Sequence, residues 1–258
     1  MKGEEFIKKV LAGERDFSRI KLEEDFDLSG HEGFAELLEY LHLKYSPTMI
    51  ILCGLSPIIL NDSELKGIKA ERLYLPYVCG KRVNLQGADL EGAYLGEANL
   101  VGANLREAYL QGATLVEANL EGATLEGASL KEAHLDGASL KEADLNGANL
   151  EKADLEKADL KRASFKEASL EKADLKRANL QGANLKRAYL GEANLVGANL
   201  KKAYLKRANL MAANLKEAKN LEVTLHIEDA IFNKTRVTER EKAIIEEALK
   251  RKQLFIVE

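Results

Sequence analysis

The amino-acid sequence predicts an all-β solenoid with short helices at both ends. The main observation is a five-residue unit that recurs 27 times without interruption, from a unit centred on Leu85 to one centred on Leu215. The central residue is Leu in 26 of these units, and the residue two positions earlier is Ala in 26. A small or polar residue separates the two, and two residues that are mostly Lys, Arg, Glu or Gly follow the centre. Repeats of this kind take precedence over any local helix or strand pattern.

A five-residue period does not suit a helix. Five residues advance about 140° beyond one full turn, so the apolar residues would scatter over every side. In an extended segment, Ala and Leu lie two positions apart and point to the same face. Because five is odd, the chain must turn once per unit to keep every Leu inward. Short extended pieces that turn repeatedly form coils, and stacked coils pair their backbone groups with the coils above and below.

Units such as Ala-Asp-Leu-Glu-Lys at 153–157 and Ala-Asn-Leu-Gln-Gly at 178–182 resemble those of the pentapeptide-repeat proteins. The resemblance implies a right-handed quadrilateral β-helix with four units in each coil. Residues 20 apart would then stack on one wall, and 27 units would extend for about 32 Å. An Asn or Asp between Ala and Leu could hydrogen-bond to its copy one coil away. The core residues that we single out form one such column: Leu85, Leu105, Leu125, Leu145, Phe165, Leu185 and Leu205.

Composition limits the functional classes. A net charge of −4 over 258 residues excludes a strong polycation or polyanion. Two cysteines provide no disulfide framework and suit a reducing compartment. The start of the chain lacks a signal-peptide pattern, and the most apolar stretch, Met49–Leu60, is too short to span a bilayer. We therefore expect a cytoplasmic protein without membrane partners, and the abundance of Lys and Glu is compatible with a thermophilic source.

Three regions follow from the pattern. Residues 1–47 are a predicted N-terminal helical cap, residues 48–237 the β-helix with its strict repeats over 83–218, and residues 238–258 a C-terminal helix and tail. A solenoid needs its terminal coils covered, because exposed edges invite end-to-end association. The N-terminal helices therefore either cover the first coil or bind a partner.

The N-terminal cap contains two predicted helices. Glu4–Ala12 has helical apolar spacing, and a capping box at Ser29–Glu32 opens a second helix that ends at Pro47. Phe17 and Leu22, five apart, resemble a degenerate unit. Counting back by fives from the strict repeats carries the register to about Thr48, with larger residues at the Ala position. The first coils should therefore be less regular, and Cys53 should be a buried apolar residue.

The C-terminal end is also irregular. After Ala218 the frame slips by one residue, and a last coil precedes the final helix. Thr238 and Glu241 form a capping box for that helix, which runs to about Lys252, with a candidate short strand at Gln253–Val257. The candidate Ala-Leu-like pairs of the last coil are Val223 and Leu225, Ala230 and Phe232, and Thr235 and Val237.

The final helix offers a candidate dimer contact at Ile244, Ile245 and Leu249. In the topoisomerase-protecting members of the family that the chain resembles, a C-terminal helix holds two solenoids together end to end. The alternative is a helix that only covers its own last coil. The chain is therefore expected to be either a monomer or a homodimer through this helix.

No constellation of residues supports catalysis. The four histidines lack metal-ligand spacing, and no phosphate-binding or nucleophile motif is present. Asp154 and Asp174 would stack as paired carboxylates, although a solvated ladder explains them more simply. Tyr74 and Tyr94 would stack as a small aromatic patch. We expect a protein that is not an enzyme, with no catalytic residue, no metal and no cofactor.

Charge is distributed unevenly along the repeat. Residues 84–150 contain 3 basic and 11 acidic residues, whereas residues 151–218 contain 15 basic and 9 acidic. A basic patch could attract an acidic partner or a phosphate backbone. Because Glu and Asp are interspersed, we favour a salt-bridged solvent face over a binding patch. The candidate patch residues form two sets, on one wall and on an adjacent one: Lys186, Arg187, Lys206 and Arg207, and Lys161, Arg162, Lys201 and Lys202.

The leading hypothesis is a non-enzymatic rigid scaffold that presents its surface to a macromolecule, expected to be a protein. One alternative, which the resemblance implies for some family members, is a DNA-mimic regulator or protector of a type II topoisomerase such as gyrase. The basic half interrupts the acidic track that such mimicry needs. A second alternative is binding of nucleic acid or an acidic partner through the basic half. The string AYLGEANLVGANL at 93–105 and 188–200 is offset by 19 units, so its copies should lie on different walls, as in a duplicated scaffold.

Overall fold

The computed structural model describes residues 1–44 and 57–254. These residues form a β-helical solenoid in which single bridging residues pair in parallel with the coils before and after. From Ile59 to Asn214, each bridging residue pairs with the residue 20 positions away. Four five-residue units therefore make one coil, and the bridging residues form four columns, one on each wall.

The backbone N–H groups of each unit have defined acceptors. In Ala103–Glu107, the second, third and fifth residues donate to carbonyl oxygens of neighbouring coils at 2.7 to 2.9 Å. The N–H of Ala103 closes the corner by donating to Leu100 O at 3.0 Å. The remaining N–H belongs to Arg106 and donates to Oδ1 of Asn104 at 3.2 Å. The bridging Asn or Asp thus satisfies the one N–H that the coil-to-coil pairing leaves over.

Some bridging side chains also form the predicted ladder between coils. Nδ2 of Asn104 donates to Oδ1 of Asn84 at 3.0 Å, and Nδ2 of Asn199 donates to Oδ1 of Asn179 at 3.1 Å. The sequence analysis predicted this ladder but missed the bond to the corner N–H, which recurs in many more units, for example at Asp159 and Asn214. The corner bond is local and therefore needs no matching residue in the next coil.

The core is a continuous column of apolar side chains. The predicted column from Leu85 to Leu205, with Phe165 included, is between 0% and 8% exposed. The Ala residues of the strict repeats are also buried, which lets neighbouring walls approach.

The first coils exchange volume between the Ala position and the centre. Ile68 and Val78 occupy Ala positions, while the corresponding centres are the small residues Ala70 and Gly80. All four residues are buried. An apolar cavity of about 40 Å³ lies in this part of the core, where the small centres leave space. The less regular packing expected for the first coils is observed from Ile58 onward.

The N-terminal residues add one more irregular coil to the stack. Asp16, Lys21 and Asp27 form parallel bridges to Ile59, Glu64 and Lys69, respectively. The apolar residues that follow these three bridging residues are buried: Phe17, Leu22 and Leu28. The degenerate unit predicted from Phe17 and Leu22 is therefore part of a coil that covers three of the four walls.

Two helices pack beside this coil. Helix α1 spans Gly3–Leu11 and buries Phe6, whose ring contacts that of Phe17 at a centroid distance of 4.8 Å. Helix α2 spans Phe34–Lys44 and buries Leu37 and Leu41. Both helices contribute side chains to the same core cluster as the repeats.

The predicted capping box at Ser29 and Glu32 is wrong, because α2 begins only at Phe34. Oδ1 of Asp27 instead accepts hydrogen bonds from Ser29 Oγ at 3.2 Å and from Gly30 N at 2.6 Å. These bonds hold the segment in a turn before the helix starts. The predicted helix end at Pro47, the register start at Thr48 and the environment of Cys53 lie outside the described residues.

The predicted one-residue slip after Ala218 is observed, and a second extra residue follows. The bridges lengthen from 20 positions at Asn199–Lys219 to 21 at Tyr204–Leu225 and 22 at Asn209–Ile231. Short 3₁₀ helices at Leu221–Val223 and Ile227–Asp229 accommodate these residues. The predicted pairs around Ile231 and Arg236 have the observed register.

The predicted pair Val223 and Leu225 is out of register by one residue. Leu225 is the bridging residue and is 48% exposed, while Thr224 is buried at the Ala position. Oγ1 of Thr224 donates to Leu200 O at 3.0 Å, so this hydroxyl is satisfied within the core. A buried Thr was overlooked because Val and Leu are the more apolar neighbours.

Helix α3 spans Glu239–Leu254 and contacts both 3₁₀ helices. Its predicted capping box is present, since the carboxylate of Glu241 accepts hydrogen bonds from the N–H and the hydroxyl of Thr238. The helix continues through Leu254, so the predicted strand at Gln253–Val257 is wrong for its first two residues. Its other three residues lie outside the described part of the chain. None of the described helices has the length and apolar character needed to cross a membrane.

Every corner places its second residue in the left-handed backbone region. This residue is Gly in corners such as Gly122 (φ +64°), but it is often a charged residue such as Glu117 (φ 56°) or Lys152 (φ 58°). Left-handed backbone costs a residue with a Cβ roughly 1–2 kcal/mol. Coil-to-coil hydrogen bonding therefore imposes a conformation that these charged residues would otherwise avoid.

We expect Gly122→Ala to lower the free energy of unfolding by about 1 kcal/mol. A Cβ at Gly122 would meet no atom within 4 Å, so backbone strain is the only source of this cost. Gly191→Ala is the matched control, because Gly191 lies outside the left-handed region and a Cβ there has its nearest atoms at 3.9 Å. The control should leave stability unchanged or raise it by up to about 1 kcal/mol. Equal urea midpoints for the two variants would contradict this account of the corners.

Candidate interaction surface

One wall of the last regular coils carries a concentration of positive charge. Its bridging residues are Ser164, Asn184 and Tyr204, which pair in one column. The corner residues before and after these units form the two edges of the wall. We call this surface, with its corner residues at 161–167, 181–187 and 201–207, the basic wall. It contains nine basic side chains and one acidic side chain, Glu167.

The structure brings all eight predicted patch residues onto this wall. One edge carries Lys161, Arg162, Lys201 and Lys202, and the opposite edge carries Lys186, Arg187, Lys206 and Arg207. The sequence analysis had placed the two sets on adjacent walls, whereas they flank a single wall. It had also missed Lys166, because the neighbouring Glu167 made that corner look neutral.

Most cations of the basic wall have no carboxylate partner among the described residues. Two arginines form ion pairs: Arg162 Nη1 lies 3.2 Å from Glu142 Oε1, and Arg187 Nη1 lies 3.2 Å from Glu167 Oε1. The salt-bridged face favoured from sequence is therefore wrong for six of the eight predicted residues. Together with Lys166, the side chains without an ion pair in the described structure are Lys161, Lys186, Lys201, Lys202, Lys206 and Arg207.

The reason lies in the spacing of partners. Corner side chains pair chiefly with the corner one coil away, as in Lys152–Glu132 at 3.1 Å and Arg106–Glu126 at 3.0 Å. In the basic wall, the residues 20 positions from Lys186 are Lys166 and Lys206, so like charges face each other. Comparing charges at intervals of 20 would have identified the unpaired cations from sequence.

Carboxylates bound the basic wall at both ends. Glu142 and Asp144 occupy the same wall one coil before Ser164. Beyond the last basic coil, Glu222 follows on one edge, and Glu228 and Asp229 lie in the second 3₁₀ helix. Positive charge is thus confined to three coils, which rise by about 10 Å from first to last.

The C-terminal end of the basic wall is apolar. The bridging column continues from Tyr204 to Leu225, which is 48% exposed, and Val223 beside it is 43% exposed. The ring of Tyr204 contacts the His226 imidazole edge to face at a centroid distance of 4.7 Å. The wall therefore combines unpaired cations with accessible apolar side chains.

The remaining sequence candidates have structural roles. Oδ1 of Asp154 accepts the N–H of Glu156 at 2.9 Å, and Oδ1 of Asp174 accepts the N–H of Lys176 at 2.9 Å. Both carboxylates therefore serve the backbone in the same way as the other bridging Asp residues. His134 is an exposed bridging residue, as its position in the repeat indicated.

His226 forms a small charged cluster that sequence reasoning did not find. Its Nδ1 lies 3.5 Å from Glu228 Oε1 and 3.6 Å from Asp229 Oδ2. The three residues could offer ligand atoms to a cation, but they are surface groups with the distances of an ordinary ion pair. The search for paired His and Cys spacing could not detect a cluster that depends on a 3₁₀ turn.

The predicted stacking of Tyr74 and Tyr94 is observed, with ring centroids 4.9 Å apart. His42 of α2 stacks on the other face of Tyr74 at 4.0 Å, so the patch joins a helix to the solenoid. Burial, followed by the nearby Tyr94, raises the pKa of Tyr74. A hydrogen bond to Glu97, with burial adding to it, raises the pKa of Tyr77 to about 12.

The candidate dimer residues do not share one exposed surface. Ile245 is 7% exposed and Ile244 is partly buried against the core, whereas Leu249 is 38% exposed. Most of the apolar face of α3 is therefore occupied by its own chain.

Comparison with known proteins identifies the repeat. The family described as Pentapeptide repeats matches with 8 copies, over residues 84–122, 118–156, 143–182 and 178–217. These matches together extend over more than half of the 258 residues. No curated protein sequence matches the chain.

Several solved structures are similar. HetL, a pentapeptide repeat protein involved in heterocyst differentiation regulation from the cyanobacterium Nostoc sp. strain PCC 7120, is 28% identical, with 92% of this chain and 94% of HetL covered and a TM-score of 0.44. Rfr23 from the cyanobacterium Cyanothece 51142 is 32% identical over 39% of this chain and 63% of its own, with a TM-score of 0.30. QnrB1, a plasmid-mediated fluoroquinolone resistance protein, is 14% identical over 91% of this chain and 99% of its own, with a TM-score of 0.38.

We expect Tyr77 to be the last of the tyrosines to ionise in the folded chain. Its pKa of about 12 exceeds the unfolded value of about 10. Stability contributed by the Glu97 bond is therefore present below about pH 10 and lost as pH rises to about 12. Phenolate absorbance should show Glu97→Gln lowering the highest tyrosine pKa. Glu117→Gln, at the same corner one coil later, is the control, and an equal shift in both variants would argue against the Tyr77–Glu97 bond.

Proposed function

This chain belongs to the pentapeptide-repeat family, and from that premise we propose that it is a non-enzymatic, rigid scaffold that binds a protein partner in the cytoplasm. One observation carries the proposal: bridges 20 residues apart continue from Ile59 to Asn214 without a break. Such a register fixes the spacing of side chains on every wall. A surface whose side chains are already positioned binds a partner at a lower cost in conformational entropy.

The described residues also support a non-enzymatic role. The stacked carboxylates Asp154 and Asp174 accept backbone hydrogen bonds. Within residues 1–44 and 57–254, the three groups of the His226 cluster are the one set that could hold a cation, and they lie at the surface. A reaction would need a nucleophile or base beside a cleft, and the walls of this solenoid are convex.

The proposal includes the finer features that the family implies. These are a right-handed winding of the coils, terminal helices that act as caps, and a division of the chain into 1–47, 48–237 and 238–258. The packing of α1, α2 and α3 against the two terminal coils supports the capping role.

Mimicry of DNA at a type II topoisomerase is the less favoured alternative. A mimic must present a continuous acidic track to a basic protein surface. The basic wall interrupts that track over three coils, so it would repel such a surface. The acidic half would have to act alone.

The experiment that tests the proposal is affinity purification from source cells on the immobilised chain. We expect a polypeptide that is displaced by excess soluble chain and that binds with saturation when purified. Incubation with a metabolite extract should produce no time-dependent change by mass spectrometry. Absence of any displaceable polypeptide, or turnover of a metabolite, would overturn the scaffold proposal. Recovery of a topoisomerase whose supercoiling activity the chain inhibits would favour the mimic.

Helix α3 bears on the oligomeric state. Because Ile245 is buried in its own chain, a dimer through α3 would depend on Leu249 and its exposed neighbours. We therefore propose that α3 covers the last coil and that the chain is a monomer. The helix would then protect the coil edge from end-to-end pairing.

We expect Leu249→Arg to leave the molar mass unchanged in light scattering, at physiological salt and at about 1 M salt. Ile245→Asp should displace α3 and produce larger species, because a buried charge is unfavourable there and the coil edge becomes exposed. A wild-type dimer that Leu249→Arg dissociates would show that α3 is an interface. A dimer that high salt alone dissociates would point instead to the opposite charges of the two halves.

A further inference from the structure

We propose that the basic wall is the docking surface for a short acidic segment of a protein, with Tyr204, Val223 and Leu225 receiving an apolar side chain of that segment. This inference rests on the proposed scaffold function and specifies where the partner binds and what its chemistry is. It depends on three properties of the wall: unpaired charge, limited length and an apolar end.

Unpaired charge makes the wall receptive to carboxylates. Seven of its nine cations have no ion pair among the described residues, whereas corner cations of the middle coils, such as Lys131 and Lys152, pair with Glu151 and Glu132. Like charges repeat from coil to coil, as at Lys186 and Lys206. An acidic ligand would relieve this repulsion and form ion pairs without breaking existing ones.

The length of the wall suits a short segment. Its cations extend over three coils, about 10 Å from first to last. An extended peptide rises about 3.3 Å per residue, so three or four residues would follow the cations. A helix would place carboxylates at i and i+4 about 6 Å apart, close to the coil spacing of about 4.8 Å.

A nucleic acid fits less well, because its charge does not stop. Duplex DNA carries one negative charge per about 1.7 Å of its axis. A phosphate backbone that continued along the solenoid would meet Glu142 and Asp144 at one end and Glu222 and Glu228 at the other. Bounded positive charge therefore favours an acidic segment with a limited number of carboxylates.

The apolar end gives a second reason to prefer a protein. Leu225 and Val223 are 48% and 43% exposed beside the last cations. Aliphatic side chains gain from contact with other apolar side chains, which phosphates and sugars do not provide. A base could stack on Tyr204, but the edge-to-face contact with His226 already occupies part of that ring's surroundings.

A second copy of this chain is not a matching partner. The acidic residues of the N-terminal half are spread over all four walls, as shown by Asp89, Asp144, Glu97 and Glu132, which lie in different columns or corners. No single wall of that half therefore offers a charge density comparable to that of the basic wall.

The test uses a displayed library of random 12-residue peptides selected on the full chain. We expect enriched peptides to combine several Asp or Glu residues with one apolar residue. The wall variant Lys186→Glu/Arg207→Glu should bind the best peptide about tenfold more weakly in fluorescence anisotropy, because attraction becomes repulsion at two positions. Binding should also weaken with added salt.

The matched control is Lys216→Glu/Lys172→Glu. It makes the same change in net charge at the same two corner positions, but on other edges of the solenoid. We expect its affinity to stay within about twofold of the wild type, since screening limits effects from distant charges. Circular dichroism and urea midpoints should show that both variants are folded. Leu225→Thr should weaken peptide binding a few-fold without changing the charge.

Three results would overturn the inference. One is selection of non-acidic peptides, and another is equal weakening by the wall and control variants. The third is tighter binding of a 12-nucleotide DNA strand than of any selected peptide, which would assign the wall to nucleic acid. Retention of the affinity-purified partner by the wall variant would refute this docking surface while leaving the scaffold proposal intact.

Discussion

The structure depends on the hydrogen bonding of backbone N–H groups between coils. Three of the five N–H groups in each unit reach a neighbouring coil, one closes the corner, and a bridging Asn or Asp accepts the last. This arrangement fixes a step of 20 residues and forces a left-handed residue at each corner. At the ends, where the repeat fails, hydroxyls at the Ala position bond to carbonyl oxygens: Ser63 to Phe17, Thr224 to Leu200 and Thr235 to Leu210. The interior thus remains satisfied where the sequence pattern breaks down.

The same step of 20 residues organises the surface charge. A corner side chain meets the corner one coil away more closely than most of its sequence neighbours, so its partner is decided by a distant position. Where the signs alternate, ion pairs form along the edge. Where they repeat, as at Lys166, Lys186 and Lys206, the cations are left for solvent or for a ligand. Exposed ion pairs contribute little to stability, so the fold tolerates such a wall while binding could exploit it.

Sequence reasoning succeeded where periodicity was strong. The repeat gave the buried column from Leu85 to Leu205 and the slip after Ala218, and the Thr238–Glu241 pair gave the start of the last helix. It failed where one local bond outweighed the pattern. Ser29 resembles a helix cap, but Asp27 uses its hydroxyl in a turn. Thr224 resembles a surface residue, but a carbonyl in the preceding coil satisfies its hydroxyl. The unpaired state of the basic wall needed the number of units per coil, which a linear charge count does not contain.

The duplicated string AYLGEANLVGANL shows why function is harder to predict than fold in this chain. Its tyrosines, Tyr94 and Tyr189, have identical sequence neighbours, yet they lie in different columns. Tyr94 stacks on Tyr74, whereas Tyr189 bridges Ser169 and is 50% exposed. The interior positions of both copies are equally buried, because the core requires only a period of five. The surface around each tyrosine is determined by the residues 20 positions away, so recognition by this solenoid is a property of columns of residues and not of any contiguous motif.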